Sequence, residues 1–204
     1  MKAVTLRKYG PPEVLKVEEI APPKPRRDRL LIRVRAAEVT KADCEFRSFK
    51  FAVKWFSFPL RLAVGIRRPR NPVLGGYFAG EIVSESSSDA RLKEGDRVFG
   101  CSKLAFGAYA QYLSLPPNYT IAKMPRTISF AEAAAIPLGG LNALHFLNAL
   151  ALRKGEHLLV NGGGGSIGLF AIQIAKTRGA TVTVVDKASK QAIIEKAGAD
   201  CFID

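Results

Sequence analysis

The stretch NGGGGSIGLFAIQIAK, Asn161–Lys176, decides how this 204-residue chain is read. The apolar run His157-Leu-Leu-Val160 comes before it, short enough for a buried strand. Behind it, Ile167, Phe170, Ala171 and Ile174 recur at helical spacing. The glycines therefore occupy a turn from a strand into a helix. Unpaired backbone N–H groups and the positive end of the helix dipole favour an anion there. Gly163, Gly165 and Gly168 meet the G-x-G-x-x-G spacing. One glycine makes the tight turn, the next lets the backbone approach a pyrophosphate, and the third lets the helix pack closely on the strand. Gly162, Gly163, Gly165, Ser166, Ile167 and Gly168 are the candidate cofactor contacts. A glycine-rich hairpin without function can match the same spacing, so the surroundings decide.

Those surroundings continue the pattern. A strand, Thr181–Val185, follows the helix and ends at Asp186. That carboxylate stands roughly 20 residues beyond the glycines, where a group bonded to an adenosine ribose is expected. A second helix, Ser189–Ala197, closes at Gly198, and a short strand, Cys201-Phe-Ile203, comes next. The order β-α-β-α-β is one half of a Rossmann doubly wound parallel sheet.

Hydrophobic residues make up 48% of the chain and charged residues 24%, which fits a soluble globular protein, and the length allows a buried core. The start, MKAVTLRKYG, lacks the apolar core of a signal peptide, and no segment reads as long and apolar enough to span a bilayer. Cys44, Cys101 and Cys201 are scattered, with no CxxC pair and no disulfide framework, so a cytoplasmic setting is expected. The net charge of +13 fits nucleic acid, an anionic membrane surface, phosphate-bearing ligands or simply a basic proteome. Much of it is local. Arg47, Lys50, Lys54, Arg61, Arg67, Arg68 and Arg70 are interleaved with Phe49, Phe51, Trp55, Phe56 and Phe58, with no acid among them. Pro59, Gly65 and Pro69 argue against a long regular helix. The preferred reading is an irregular, pocket-lining lid whose aromatics suit a flat apolar substrate. A membrane-surface segment and a nucleic-acid surface stay open behind it.

The first part of the chain reads as β-rich: Ala3–Arg7, Leu15–Ile20, Leu30–Val39, Gly80–Val83 and Ala108–Leu115, separated by Pro and Gly. The serine run Ser84–Ser88 reads as an exposed loop. From Ser129 the pattern turns helical. Ser129 and Glu132 make a capping box ahead of Ala131–Ala135; Pro137 and Gly139-Gly140 interrupt; a second helix runs from about Leu141 to Leu152. The domain change is placed near Lys123–Ser129.

In order and spacing, KAVTLRKYGPPEVLKVEE, VLGGYFAGEIV, LKEGDRVFG, GAYAQYLSLP, AEAAAIPLGGLNAL and the glycine loop resemble the medium-chain dehydrogenase/reductase superfamily. Within it the chain is most similar to the zinc-independent quinone oxidoreductase (zeta-crystallin-like) branch. The resemblance implies a GroES-like substrate domain over 1–125 and an incomplete Rossmann domain over 126–204. Family members continue for a further large segment, which implies a C-terminally truncated chain, a homodimer when complete. Zinc-dependent members carry a cysteine near the first helix, a His-Glu pair and another cysteine before the glycine-rich helix. Here Thr40, Gly76-Tyr77 and Leu138 stand in those places. Zinc needs converging N, S or O donors, so no catalytic metal is expected. His145 and His157 lie in apolar helix and strand contexts and read as packing residues. Where zinc-free members often read Asn-x-x-Asp-x-x-x-Arg-x-Gly, this chain has Thr40, Asp43, Arg47 and Phe49. The Asp43–Arg47 pair, four apart, also suits a braced helical turn.

The resemblance implies hydride transfer from NAD(P)H to a quinone or an activated alkene or carbonyl, without metal. The protein positions the nicotinamide, excludes water and supplies a donor for the developing oxyanion. Thr40 and Tyr77 are the candidate catalytic donors. Asn142 stands where relatives often have threonine, and either contacts the nicotinamide ribose or caps a helix. Asp186 favours NAD(H), because it would repel a 2′-phosphate. Lys190 matches a lysine that contacts that phosphate in some relatives, and Lys187 can join it. The family's leaning tips the expectation to NADP(H). The alternative is a nucleotide-binding protein without turnover, redox-sensing or RNA-associated.

Overall fold

We describe the protein from a computed structural model covering residues 1–52, 54–84 and 91–204, the side chains of Lys54 and Phe56 excepted. Apart from Ser84, the serine run expected as a loop lies outside these residues. The chain divides into two units, Met1–Ala135 and Ile136–Asp204.

In the first unit β1 (Lys2–Leu6) and β2 (Leu15–Glu19) form an antiparallel hairpin. Strands β3 (Leu30–Ala37), β4 (Tyr77–Ser84), β5 (Arg97–Cys101), β6 (Tyr112–Leu115) and β7 (Thr120–Lys123) make an antiparallel sheet in the order β6-β3-β4-β5-β7. Strand side chains alternate between faces. Leu30, Ile32, Phe78, Ile82, Val98, Leu113 and Leu115 accordingly point into one core. Two of these strands carry weak sequence signals. Gly100 thins the pattern of β5 because its α-carbon lies against the Thr120 carbonyl of β7, where a Cβ would collide. Strand β7 is four residues long and largely exposed.

Helix α1 (Lys41–Ser48) leaves β3 through the cap at Thr40. Helix α2 (Lys54–Val64) then runs through Pro59, in a stretch expected to be irregular. Proline removes one N–H, which would have bonded the carbonyl four residues back, that of Trp55. Trp55 and Pro59 both lie on the exposed side, where water can satisfy that carbonyl. Gly65, at φ +128°, ends the helix.

Helix α3 (Phe130–Ala149) is one 20-residue helix, not two. Its start is the expected box: Ser129 Oγ donates to Glu132 Oε2 at 2.7 Å, and Glu132 N–H donates to Ser129 Oγ at 3.2 Å. Gly139-Gly140, expected to interrupt it, is a packing device. A Cβ on Gly139 would strike Ser166 and Phe170 of the neighbouring helix. Because the helix is continuous, it is long and apolar enough by length and composition to cross a membrane, against the sequence expectation. Its residues Ala133, Ala134, Ala143 and Leu147 are buried in the protein.

The second unit follows the expected order. Strands β8 (His157–Asn161), β9 (Thr181–Val185) and β10 (Cys201–Ile203) pair in parallel as β10-β9-β8. Helix α4 (Ser166–Thr177) connects the first two, and a 3-10 turn with α5 (Gln191–Lys196) connects the last two. Ile172, Ala175, Val182, Val184 and Ile194 fill the core between sheet and helices.

The glycines of the turn differ in what they tolerate. A Cβ on Gly168 would lie 2.5 Å from Gly163 Cα, a backbone atom, whereas one on Gly165 meets nothing nearer than 3.5 Å. Gly165 also has an ordinary extended backbone, φ −87°. We expect Gly168→Ala to cost about 1–3 kcal/mol of stability through overpacking, and Gly165→Ala to leave it within about 0.5 kcal/mol. Urea denaturation of both variants checks this.

Candidate functional site

The glycine turn joins β8 to α4. Gly162, at φ +79°, donates its N–H to the Val185 carbonyl at 2.8 Å, and Gly165 donates back to Gly162 O at 3.2 Å. Gly163 and Gly168 are buried against each other, while Ser166 and Ile167 are exposed on the first turn of α4. The first N–H groups of a helix have no acceptor within it. Those of Ser166, Ile167 and Gly168 open α4, and its N-cap, Gly165, offers them no side-chain acceptor.

Asp186 sits beside this turn with its carboxylate only 7% exposed. Its Oδ2 accepts the Gly164 N–H at 2.8 Å, its Oδ1 accepts the Lys187 N–H at 2.8 Å, and Lys190 Nζ approaches to 3.2 Å. These bonds, that from Gly164 first, hold its carboxyl below the usual aspartate value. Lys190 lies across the turn: a Cβ on Gly164 would meet its Cδ. The two residues expected to compete over cofactor choice are thus paired with each other. Asn142 points its amide back along its own helix, donating to Leu138 O at 2.8 Å.

In the first unit the Thr40 hydroxyl closes a capping box. It donates to Asp43 Oδ2 at 2.6 Å and accepts the Asp43 N–H at 3.2 Å, with both residues buried. Arg47 donates to the Gly10 carbonyl at 2.7 Å. Tyr77 opens β4 opposite Cys101, and its carbonyl accepts the Glu38 N–H at 3.2 Å. Burial, Cys101 and the acids Glu38 and Asp43 push the Tyr77 phenol up, so it remains a hydrogen-bond donor across the neutral range.

Two neighbours carry no sequence signal. Glu38 reads as the polar end of a strand, yet its Oε2 is buried without a partner, and burial with the nearby Asp43 pushes its carboxyl up. Tyr109, within GAYAQY, donates its hydroxyl to the Glu38 carbonyl at 3.1 Å and is itself pushed up by burial. Gly75, at φ +95°, leaves room for the Tyr109 ring, which a Cβ would strike.

The aromatics of residues 47–70 divide. Phe49 and Phe51 join Phe46, Tyr9 and Phe106 in a chain of ring contacts, with centroids 4.7–5.4 Å apart. Beside it lies an apolar cavity of about 300 Å³ that includes Tyr9, Phe46, Val64, Leu74 and Phe106 in its wall. Trp55 and Phe58 are 79% and 73% exposed. The Phe56 side chain lies outside the described residues. His145 and His157 are exposed rather than packed. Among the described residues no group of three or more His, Cys, Asp or Glu side chains is placed to hold a metal ion.

The alcohol dehydrogenase GroES-like domain family matches residues 26–126. A 2-methylene-furan-3-one reductase of Solanum lycopersicum is 34% identical over 215 residues, covering 100% of this chain and 52% of that protein. The human quinone oxidoreductase is 35% identical over 181 residues, covering 88% of this chain and 50% of that one. The Escherichia coli quinone oxidoreductase, solved in complex with NADPH, superposes with a TM-score of 0.82 at 28% identity, covering 100% of this chain and 58% of that one. This chain has a GroES-like β-unit and a parallel β-α-β-α-β unit with a glycine turn, and its fold is that of the E. coli protein over the whole of its length. The chain belongs to the medium-chain dehydrogenase/reductase superfamily, among the relatives of the quinone oxidoreductases. It spans about half the length of the curated relatives it matches.

The Asp186–Gly164 bond has a pH signature. A carboxylate held below its ordinary value braces the turn fully above about pH 4 and releases it as the pH falls through the depressed value. The Gly164 amide resonance should therefore titrate with a midpoint below about 3.9. A midpoint at or above that value in ¹⁵N spectra would show the bond absent in solution.

Proposed function

We propose that this chain belongs to a reductase that uses NADPH to reduce a quinone or an activated alkene or carbonyl, and that it acts without a catalytic metal. The observation carrying this reading is the glycine turn, with the exposed first turn of α4 and Lys190 laid across it. The NADPH complex of the E. coli quinone oxidoreductase supports the choice of nicotinamide cofactor. In this reading the α4 N-terminus binds the pyrophosphate. Lys190 leaves Asp186 to pair with the 2′-phosphate, the more highly charged anion. Asp186 already accepts two backbone N–H groups, so it braces the turn rather than holding the ribose. Lys187 offsets its charge.

The bound nicotinamide supplies the hydride. Tyr77, kept protonated by its surroundings, donates a hydrogen bond to the developing substrate oxyanion. Thr40 holds the start of α1 in place. The metal-free reading rests on the donor set: Thr40, Gly76-Tyr77 and Leu138 occupy the places of the family's zinc ligands.

Calorimetry with both cofactors tests the binding part. Gly165→Val should abolish NADPH binding while leaving the fold intact; unchanged affinity in a folded variant rejects the site. Lys190→Ala should weaken NADPH by about 1–3 kcal/mol and spare NADH. Equal losses for both would assign Lys190 to the turn instead of the phosphate.

The chemical part is tested on turnover of a quinone. Tyr77→Phe should lower kcat/KM by about a hundredfold, the scale of one lost oxyanion donor, with cofactor affinity unchanged. Because the phenol is pushed up, the unmodified protein should keep its rate plateau to pH values above about 10. Prolonged chelation should leave the rate unaltered, and stoichiometric zinc in elemental analysis would overturn the metal-free reading.

A further inference from the structure

Helix α2 is apolar on two opposite sides. Leu60, 6% exposed, and Val64 face inward, Val64 against the cluster of Leu6, Leu74 and Phe106. Trp55, Phe58 and Leu62, spaced three and four apart on the other side, are 79%, 73% and 48% exposed. Ile66, just past the helix end, adds a fourth apolar side chain at 59% exposure. A surface helix ordinarily has one apolar stripe, and contiguous exposed apolar patches mark interaction sites.

Charge indicates what the second face meets. No acid occurs between Glu45 and Glu81, while seven Lys and Arg side chains do. Immediately after the helix, Arg67, Arg68 and Arg70 are exposed and, with Arg7, Gly65 and Ile66, border an open depression. Arg7 is paired with Glu18 at 2.9 Å. Arg61 is turned inward, stacking 4.4 Å over the Phe49 ring and donating to the Ile66 carbonyl, so the outer face of the helix stays apolar. An aromatic-rich apolar face bordered by arginines is the chemistry of an interfacial helix. Its rings enter the headgroup–acyl boundary and its guanidinium groups meet lipid phosphates.

We propose that α2 and residues 65–70 dock the protein on the surface of an anionic lipid bilayer, peripherally and without crossing it. Soluble polyanions satisfy the arginines and leave the aromatic face in water. A second copy of this chain covers the face without supplying countercharge.

Trp55 is the only tryptophan in the chain, so its fluorescence reports the face directly. The full chain is titrated with vesicles of phosphatidylcholine alone, or with about one third phosphatidylserine, and binding is read by co-sedimentation and by the Trp55 emission maximum. We expect binding and a blue shift with the anionic vesicles only, weakening as salt rises. The Arg67→Ala, Arg68→Ala, Arg70→Ala triple variant should bind about a hundredfold more weakly, from about 1 kcal/mol for each lost cation. Phe58→Ser with Leu62→Ser should lose the blue shift while keeping the circular dichroism of the parent. Three results would overturn the proposal: equal binding to both vesicle types, binding without a blue shift, or a blue shift that follows protein concentration in the absence of lipid. An oligonucleotide bound as tightly as the vesicles, with the emission unmoved, would assign the arginines to nucleic acid instead.

Discussion

Gly168 lies against Gly163 so closely that a methyl group on Gly168 would strike the Gly163 backbone, while one on Gly163 would strike the Val184 side chain. This contact sets how near α4 comes to β8, and the geometry of the second unit follows from it. Close approach puts Ile172 and Ala175 against Val182 and Val184, sealing the core of the parallel sheet. It also aims the first N–H groups of α4 into the space above the strand ends. Asp186 completes the turn by pulling the Gly164 N–H toward β9, and that bond fixes the loop between the two strands. The backbone is already arranged, and the carboxylate that arranges it is almost out of contact with water.

The first unit uses a related device at Thr40 and Asp43, where a buried side-chain pair organises the start of α1. At the other end, Phe49 caps the helix in the left-handed region, φ 52°, where zinc-free relatives often have glycine. A non-glycine residue there costs about 1–2 kcal/mol. Ring contacts with Tyr9 and Phe51, and the Arg61 guanidinium above its face, offset that cost. The Arg61 contact ties α2 to the end of α1, so a local backbone penalty supports the placement of a neighbouring helix.

The second unit was legible in the sequence almost residue by residue, because its strands are short apolar runs and its turn has a fixed glycine spacing. Strand β9 and strand β10 fall where composition placed them. The misreadings come from proline and glycine, whose meaning depends on surroundings a sequence does not display. Gly139-Gly140 reads as a break, but it is the crossing point of two helices. Pro59 reads as a helix breaker, but it sits on the exposed side of α2. Gly100 weakens the pattern of β5 for the sake of β7. Glu38 and Tyr109 could not be singled out, since only the fold brings a buried carboxyl and a tyrosine hydroxyl to the same strand end.

Polar candidates chosen for their chemistry turned out to serve the main chain first. Thr40 caps α1, Asn142 bonds its own helix at Leu138, and Asp186 accepts Gly164 and Lys187. Buried hydrogen-bonding groups are rarely left without partners, and the nearest partner is usually backbone. A side chain already bonded to backbone contributes through the geometry it holds, because exchanging its partner costs the bond it makes. In the proposed reading the direct contacts therefore fall to groups still able to donate: the first-turn N–H groups of α4, the Lys190 ammonium, which gives up only an exposed ion pair, and the Tyr77 phenol. The proposed division puts affinity in the backbone of the glycine turn and discrimination in a single lysine. An aspartate at the end of β9 then does not by itself define an NAD(H) site. What matters is whether its carboxylate faces the ribose or, as here, the turn.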